Sequence, residues 1–350
     1  MRLFFEKIHL SRALLQLLAL LSVIGFCSCE PMMESEGDCE PAYFVKFRFK
    51  MNILDVDAFS SKVRSVSLFV FDRQGNCVAV QREAGQALAD ADYKMPLDLP
   101  AGTYDLIAWC GMQDNEDFAL DNGVAPVRRE DLVCRLLTVT PESSGDTGEA
   151  LTPIWHGRVD NVVLEAGIEG EKVVATVDLI KDVNTVRIVL QHWQGRALDP
   201  DDFGFEITDD NGIMNWDNSL MPCEMLTYRP FSKHAASVAM PDADAESGEK
   251  TSVSSLLAEI DIARLVSEGG HKSAVLTVTR SGQEKPVLRL PLTELLLMVK
   301  GEVRKDMDDQ EYLDRQDEYD LIFFLDDAGW YINGGIWVNS WHIRDFSFNM

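Results

Sequence analysis

Tyr43-Phe-Val-Lys-Phe-Arg-Phe-Lys-Met51 sets the fold class, because its alternate residues differ in kind. Tyr43, Val45, Phe47, Phe49 and Met51 share one side of an extended chain, and Lys46, Arg48 and Lys50 share the other. Side chains of a strand point to opposite faces in turn, so this pattern predicts a half-buried β-strand. The same period runs on through Val63-Arg-Ser-Val-Ser-Leu-Phe-Val-Phe71, the Gly-containing turn Asp72-Arg-Gln-Gly-Asn76, and a return strand through Val78 and Val80. Tyr93, Met95, Leu97 and Leu99 alternate again, and Pro100-Ala-Gly102 turns the chain into Thr103-Tyr-Asp-Leu-Ile-Ala-Trp-Cys110. Many short strands between turns argue for β-sandwiches.

The polar loop Pro141-Glu-Ser-Ser-Gly-Asp-Thr-Gly148 leads to Leu151-Thr-Pro-Ile-Trp-His-Gly157, and strand patterning restarts at Val173–Leu179 and Val186–Leu190. The glycines at 167 and 170 suggest a domain boundary near residue 170. The expectation is an N-terminal sandwich over 41–170 and a C-terminal one over 171–350. Asp209-Asp-Asn-Gly212 has the composition of a type I′ turn. One segment departs from period two: Leu292, Leu295, Leu296, Val299 and Val303 recur at helical spacing behind Pro291, which predicts a short amphipathic helix in the second sandwich. The end of the chain, from Trp330 through Phe348, reads as strands.

The first 28 residues are of another kind. Arg2, Lys7 and Arg12 precede the apolar run Ala13-Leu-Leu-Gln-Leu-Leu-Ala-Leu-Leu-Ser-Val-Ile-Gly-Phe26. That run is shorter than the roughly 20 residues of a spanning helix and has the length and charge of a signal-peptide core. It ends in Phe26-Cys27-Ser28-Cys29, which resembles a bacterial lipobox: cleavage after residue 28 leaves Cys29 N-terminal and acylated. Phe26 stands where leucine is usual. Cys27 is a rival site but directly follows the bulky Phe26, so Cys29 is preferred. Residues 29–40 then form a lipidated tether carrying Glu30, Glu34, Glu36, Asp38 and Glu40.

The formal charge is −26, and the leader contributes +2 (Arg2, Lys7 and Arg12 against Glu6), which leaves −28 on the exported part. Such a surface repels phosphate backbones, so nucleic acid is not an expected partner. Five cysteines follow Cys29, at 39, 77, 110, 134 and 223. Export permits disulfides, and the odd number leaves at least one thiol unpaired within the chain. Cys110 and Cys134 both end apolar runs and are the first candidate pair.

The chain offers no catalytic constellation. His156 lies in a Trp-His-Gly turn and the other histidines are scattered; HExxH, GxSxG, P-loop and GxGxxG patterns are missing. Ser247-Gly-Glu-Lys250 fits SxxK without its companion motifs. The acidic run from Asp306 to Asp320 lacks the glycine and ligand spacing of an EF-hand and reads as a solvated face. No cofactor is expected.

Five pieces, in order, resemble the FimB-like fimbrial anchoring subunits of Bacteroidales, relatives of the fimbrillins: Val66-Ser-Leu-Phe-Val-Phe-Asp72, Pro100-Ala-Gly-Thr-Tyr-Asp-Leu-Ile-Ala-Trp109, Leu151-Thr-Pro-Ile-Trp-His-Gly157, Lys181-Asp-Val-Asn-Thr-Val-Arg187, and Gln310-Glu-Tyr-Leu-Asp-Arg315 with Tyr319-Asp-Leu-Ile-Phe-Phe-Leu325. The resemblance implies an all-β chain of two tandem transthyretin-like sandwiches and a non-enzymatic role. That role is to tie a fimbrium to the outer membrane, facing the cell surface, with a candidate part in limiting its length. The lipidated Cys29 is the functional position it transfers. One acyl chain gives marginal anchoring, at about 0.8 kcal/mol per buried CH₂, so stable attachment takes two or more signals; the resemblance implies two or three chains. Shaft subunits would be the partners, joined by strand addition, with Tyr43–Met51 and Trp330–Phe348 as candidate exchange strands. The competing reading is a surface lipoprotein that binds glycan or host protein through Trp193, Trp216 or Trp330.

Overall fold

The computed structural model describes residues 43–123, 126–137, 150–166, 172–240, 251–267, 274–327, 329–330, 335–339 and 341–343. The leader, Cys29, the tether, the 141–148 loop and the Ser247–Lys250 pattern lie outside them.

The opening stretch forms strand β1 (Tyr43–Arg48). After the one-turn helix α1 (Phe59–Lys62) come β2 (Ser65–Phe71), β3 (Cys77–Ala84), β4 (Met95–Leu97), β5 (Gly102–Cys110), β6 (Phe118–Asp121), β7 (Val133–Leu136), β8 (Trp155–Leu164) and β9 (Lys172–Lys181). The β2–β3 hairpin closes as its residues require: Asp72 accepts from the amides of Gln74 and Asn76, and Gly75 takes a positive φ of 78°.

Seven strands form one hydrogen-bonded path, β3-β2-β5-β8-β9-β1-β4. Its two ends share a core: Val45, Phe47 and Phe49 after and within β1 pack with Val66, Leu68 and Val70 of β2 and Leu106 and Ala108 of β5. Strands four places apart in the path can share a core only if the sheet folds back on itself, and the turn comes where β8 meets β9 over just three residue pairs. Gly157 makes that corner possible. A Cβ there would sit 2.6 Å from Val177 Cγ1 and 2.7 Å from the Asp178 carbonyl oxygen, so any side chain would push the strands apart.

The second half begins with β10 (Val183–His192), followed by β11 (Phe203–Asp209), β12 (Ile213–Met214), β13 (Leu226–Tyr228), β14 (Ser232–Met240), β15 (Thr251–Ala263), β16 (Val275–Arg280) and β17 (Leu288–Pro291). Then come α2 (Leu292–Val303), α3 (Asp309–Arg315), β18 (Glu318–Asp326), β19 (Gly329–Trp330), β20 (Ile336–Val338) and β21 (Trp341–Ile343). One sheet runs β14-β15-β10-β18-β20-β21 and the facing one β13-β11-β16-β17. Between them lie Ile188 and Leu190, Phe205 and Ile207, Ile260, Val278 and Phe323, capped by Leu292, Leu295, Leu296 and Val299 of the expected helix α2.

Four differences from the sequence expectations have physical causes. The first sheet does not end at residue 170: β9 pairs with β1 and β8, so the chain passes to the second sheet at Asp182. Its strand pattern looks the same whichever sheet it joins. The Asp209–Gly212 stretch is not a type I′ turn, since none of its central residues has positive φ and β11 pairs with β13 instead. Asn211 is buried there and donates to the carbonyls of Ala263 and Arg264. The acidic run contains a helix, α3, whose Asp308 N-cap accepts from the Glu311 amide, and whose Asp314 faces inward. Finally, Cys110 and Cys134 are separate buried thiols. Cys110 belongs to the first core and Cys134 to the second, so ending an apolar run did not make them neighbours.

The second core is not confined to the second half. Phe69, Phe71, Ile107 and Trp109, on the outer face of β2 and β5, belong to it together with Val186 and Phe205. In addition, β12 pairs with β7, Met214 opposite Cys134. The two sandwiches thus share apolar surface and a strand pair.

Candidate functional site: the anchor cysteine and the sandwich junction

Cys29, on which the anchor expectation rests, lies outside the described residues, and the structure takes up the chain at Tyr43. Among the described residues, no helix is long and apolar enough to cross a membrane. What the structure does bring together is a set of the motif pieces quoted above, which converge on the junction between the sandwiches.

Asp182 is the single residue between β9 and β10 and is fully buried. Its Oδ1 accepts from Asn218 Nδ2 at 2.8 Å and lies 3.8 Å from Arg264 Nε. Arg264, directly after β15, points its guanidinium at Asp314 of α3, with Nη2 at 2.8 Å from Oδ2 and Nε at 3.0 Å from Oδ1. Arg264 also donates from Nη1 to the Asn218 carbonyl, and Gln310 Nε2 completes the set on Asp314 Oδ1 at 2.8 Å. Burial pushes the Asp182 carboxyl up to about 7, against the pull of Arg264 and the Asn218 hydrogen bond. Around this cluster, Lys181 Nζ meets Asp317 at 3.0 Å, and the Asp182 amide donates to the Ile154 carbonyl. Asp261 accepts from the Leu151 amide and from Thr185 Oγ1.

The sequence expectations missed Arg264 and Asn218. The available sign was a charge inside an apolar run, Ile260-Asp-Ile-Ala-Arg-Leu265, since such residues are seldom fully buried unless paired.

His156 is also part of the junction. Its ring lies 4.7 Å from that of Trp109, edge to face, and Nε2 is 3.0 Å from the Trp216 carbonyl oxygen. Burial pushes its pKa down to about 3, so it is a neutral packing residue at physiological pH. Two cations lie over the Trp216 ring, Arg129 at 4.6 Å and Arg158 at 4.5 Å from its centroid, so the ring is already engaged within the chain. Trp330 is half-buried against Phe323. Trp193, by contrast, is 54% exposed and meets Phe324 edge-on. Burial raises the thiols of Cys110 and Cys134 well above the usual range, so neither is a nucleophile. Among the described residues no group of His, Cys, Asp and Glu could hold a metal ion.

Residues 35–346 match the family model described as fimbrillin-A associated anchor proteins Mfa1 and Mfa2. The chain belongs to this family. Among solved structures, a candidate adhesin from Bacteroides thetaiotaomicron is 30% identical, with a TM-score of 0.76 over 87% of this chain and 98% of that one. A second structure from the same organism, of candidate polysaccharide-binding proteins, is 28% identical with a TM-score of 0.71 over 89% and 100% of the two chains. The fimbrial anchor protein Mfa2 of Porphyromonas gingivalis is 16% identical with a TM-score of 0.62, covering 88% of this chain and all of that one, and so shares the fold. Among curated proteins no sequence matches. The family is one of fimbrial anchors, a structural role rather than a catalytic one, and the all-β, two-sandwich architecture agrees with it.

Proposed function

We propose that this chain is the lipid-held base of a surface fimbrium: Cys29 carries the acyl chains, residues 29–40 tether the folded part to the outer membrane, and shaft subunits join by strand addition. The observation that carries it is the continuity of two signals. The anchor-family match begins at residue 35, six residues beyond a lipobox-like cysteine. A base of this kind also limits fimbrial length, because a subunit fixed in the membrane ends growth.

The C-terminal end is the better exchange site. β1 is paired on both sides, with β9 and β4, and supplies Tyr43, Val45 and Phe47 to the first core. β21 ends its sheet path and pairs with β20 over three residues. Such an edge presents backbone donors and acceptors to an incoming strand. Deleting residues 336–350 should stop shaft subunits from co-purifying with the chain; unchanged co-purification sinks the C-terminal site.

A second reading, capture of glycan at the surface, is favoured by the exposed Trp193 and by the likeness to the candidate polysaccharide-binding structure. It predicts that Trp193→Ala weakens binding to a glycan array while leaving fimbriae in place.

A further inference from the structure

The way the two sandwiches are strung together has a mechanical consequence. Among the described residues most neighbouring strands are antiparallel, but two pairs are parallel. β1 pairs with β9 over six positions, Tyr43 opposite Lys172 and Arg48 opposite Asp178. β10 pairs with β18 over eight positions, Thr185 opposite Glu318 and His192 opposite Leu325. In a parallel pair, the start of one strand and the end of its neighbour lie at opposite ends. Pulling on those two points slides the strands along their length, so every ladder hydrogen bond is loaded at once. Pulling at the same end peels the bonds one by one.

The connectivity selects the first geometry twice. Tension from the tether enters at Tyr43, the start of β1, and passes to the second sandwich from Lys181, the end of β9. It enters that sandwich at Val183, the start of β10, and leaves at Asp326, the end of β18. Both parallel pairs are therefore in shear and in series. The first is stapled near its far end by a bidentate ion pair, Arg48 Nε and Nη2 to Asp178 at 2.6 and 2.9 Å. The second has a further neighbour along its length, because β10 also pairs with β15 over nine positions.

The link between them has no slack. Asp182 alone separates β9 from β10. Its amide donates to Ile154, its carboxylate is held by Asn218 beside Arg264, and its neighbour Lys181 is tied to Asp317. A buried, ion-paired junction contributes little net stability compared with an apolar one. Here it pins one residue on the path of the load.

We propose that the chain is a tension-bearing strut, with two parallel strand pairs joined rigidly at Asp182 and loaded in shear between the tether and the end of β18. The direction of the load rests on the proposed anchoring through Cys29; the shear geometry itself does not.

Single-molecule pulling tests it on the full mature chain, with Cys29, Cys77 and Cys223 changed to serine so that coupling is confined to chosen sites. One handle is placed on the native Cys39, ahead of β1. The other is placed either at Asp327→Cys, beyond the end of β18, or at Val173→Cys, beside the start of β9. Forced rupture is governed by the barrier along the pulled direction. The Cys39–residue 327 geometry should rupture at severalfold higher force than the Cys39–residue 173 geometry, which peels β1. Equal forces overturn the proposal, and so does a low-force extension in the 327 geometry before either sandwich opens, since that means the junction yields first. Failure of anchoring through Cys29 would leave these forces unchanged and would be read separately, from cell fractionation.

Discussion

Replacing Arg264 by methionine removes the cation that faces two buried carboxylates. The side chains of Arg264, Asp182 and Asp314 are 11%, 0% and 7% exposed, so water cannot stand in for the lost partner. Breaking a buried ion pair by removing one member costs about 3–5 kcal/mol, and three hydrogen bonds to Asp314 go with it here. At about 2.1 cal/mol/K of unfolding entropy per residue, a chain of this length loses roughly 1.5 °C of melting midpoint per kcal/mol, so a drop on the order of 4–8 °C is expected. Urea unfolding followed by tryptophan fluorescence measures the loss directly. The pH dependence gives a second reading. Burial already holds the Asp182 carboxyl at about 7, above its ordinary value of 3.8. A raised carboxyl stabilises the fold most below the ordinary value, and that contribution is lost as pH rises through about 7. Without Arg264 the protonated form is favoured further, so the variant's deficit should shrink as pH falls from about 8 to about 5. Adding Asp314→Asn should restore part of the loss. A deficit below about 1 kcal/mol, or one that does not change with pH, refutes the account of the junction.

Three further outcomes follow from the same structure. Gly157→Ala should destabilise by about 1–3 kcal/mol in urea titrations, because its methyl group meets Val177 and the Asp178 carbonyl at the corner where the first sheet folds over. His156, buried neutral with its pKa pushed down to about 3, favours folding above its ordinary 6.5 and loses that contribution as pH falls towards 3; His156→Gln should remove up to about 5 kcal/mol of acid sensitivity, seen as a flatter stability profile between those limits. Peptide mapping under non-reducing conditions should find no Cys110–Cys134 cross-link, and neither buried thiol should react with a maleimide until the protein unfolds.

The strands were legible because period two is written in single residues: Tyr43, Val45, Phe47 and Phe49 announce their face with no help from the rest of the chain. So was α2, whose leucines recur at helical spacing behind Pro291. Long-range partnership was not legible. β9 reads the same whether it closes the first sheet or opens the second, and only its pairing with β1, more than a hundred residues earlier, decides. The acidic run misled for a related reason. Asp314 looks like its solvated neighbours in sequence, and what buries it is Arg264, fifty residues away. The motif pieces were visible as a resemblance, but their shared purpose was not: the stretches holding Leu151 and His156, Asp182, and Gln310 and Asp314 are far apart in sequence, and each is tied into the junction. Cys29 is a matter of the sequence alone, since the lipobox resemblance is local and lies outside the described residues.

The most direct test of the account is Cys29→Ala, with the protein and its fimbriae followed by surface fractionation and microscopy. The account predicts that both leave the cell and appear in the medium. Fimbriae that stay attached, at unchanged length, would contradict it.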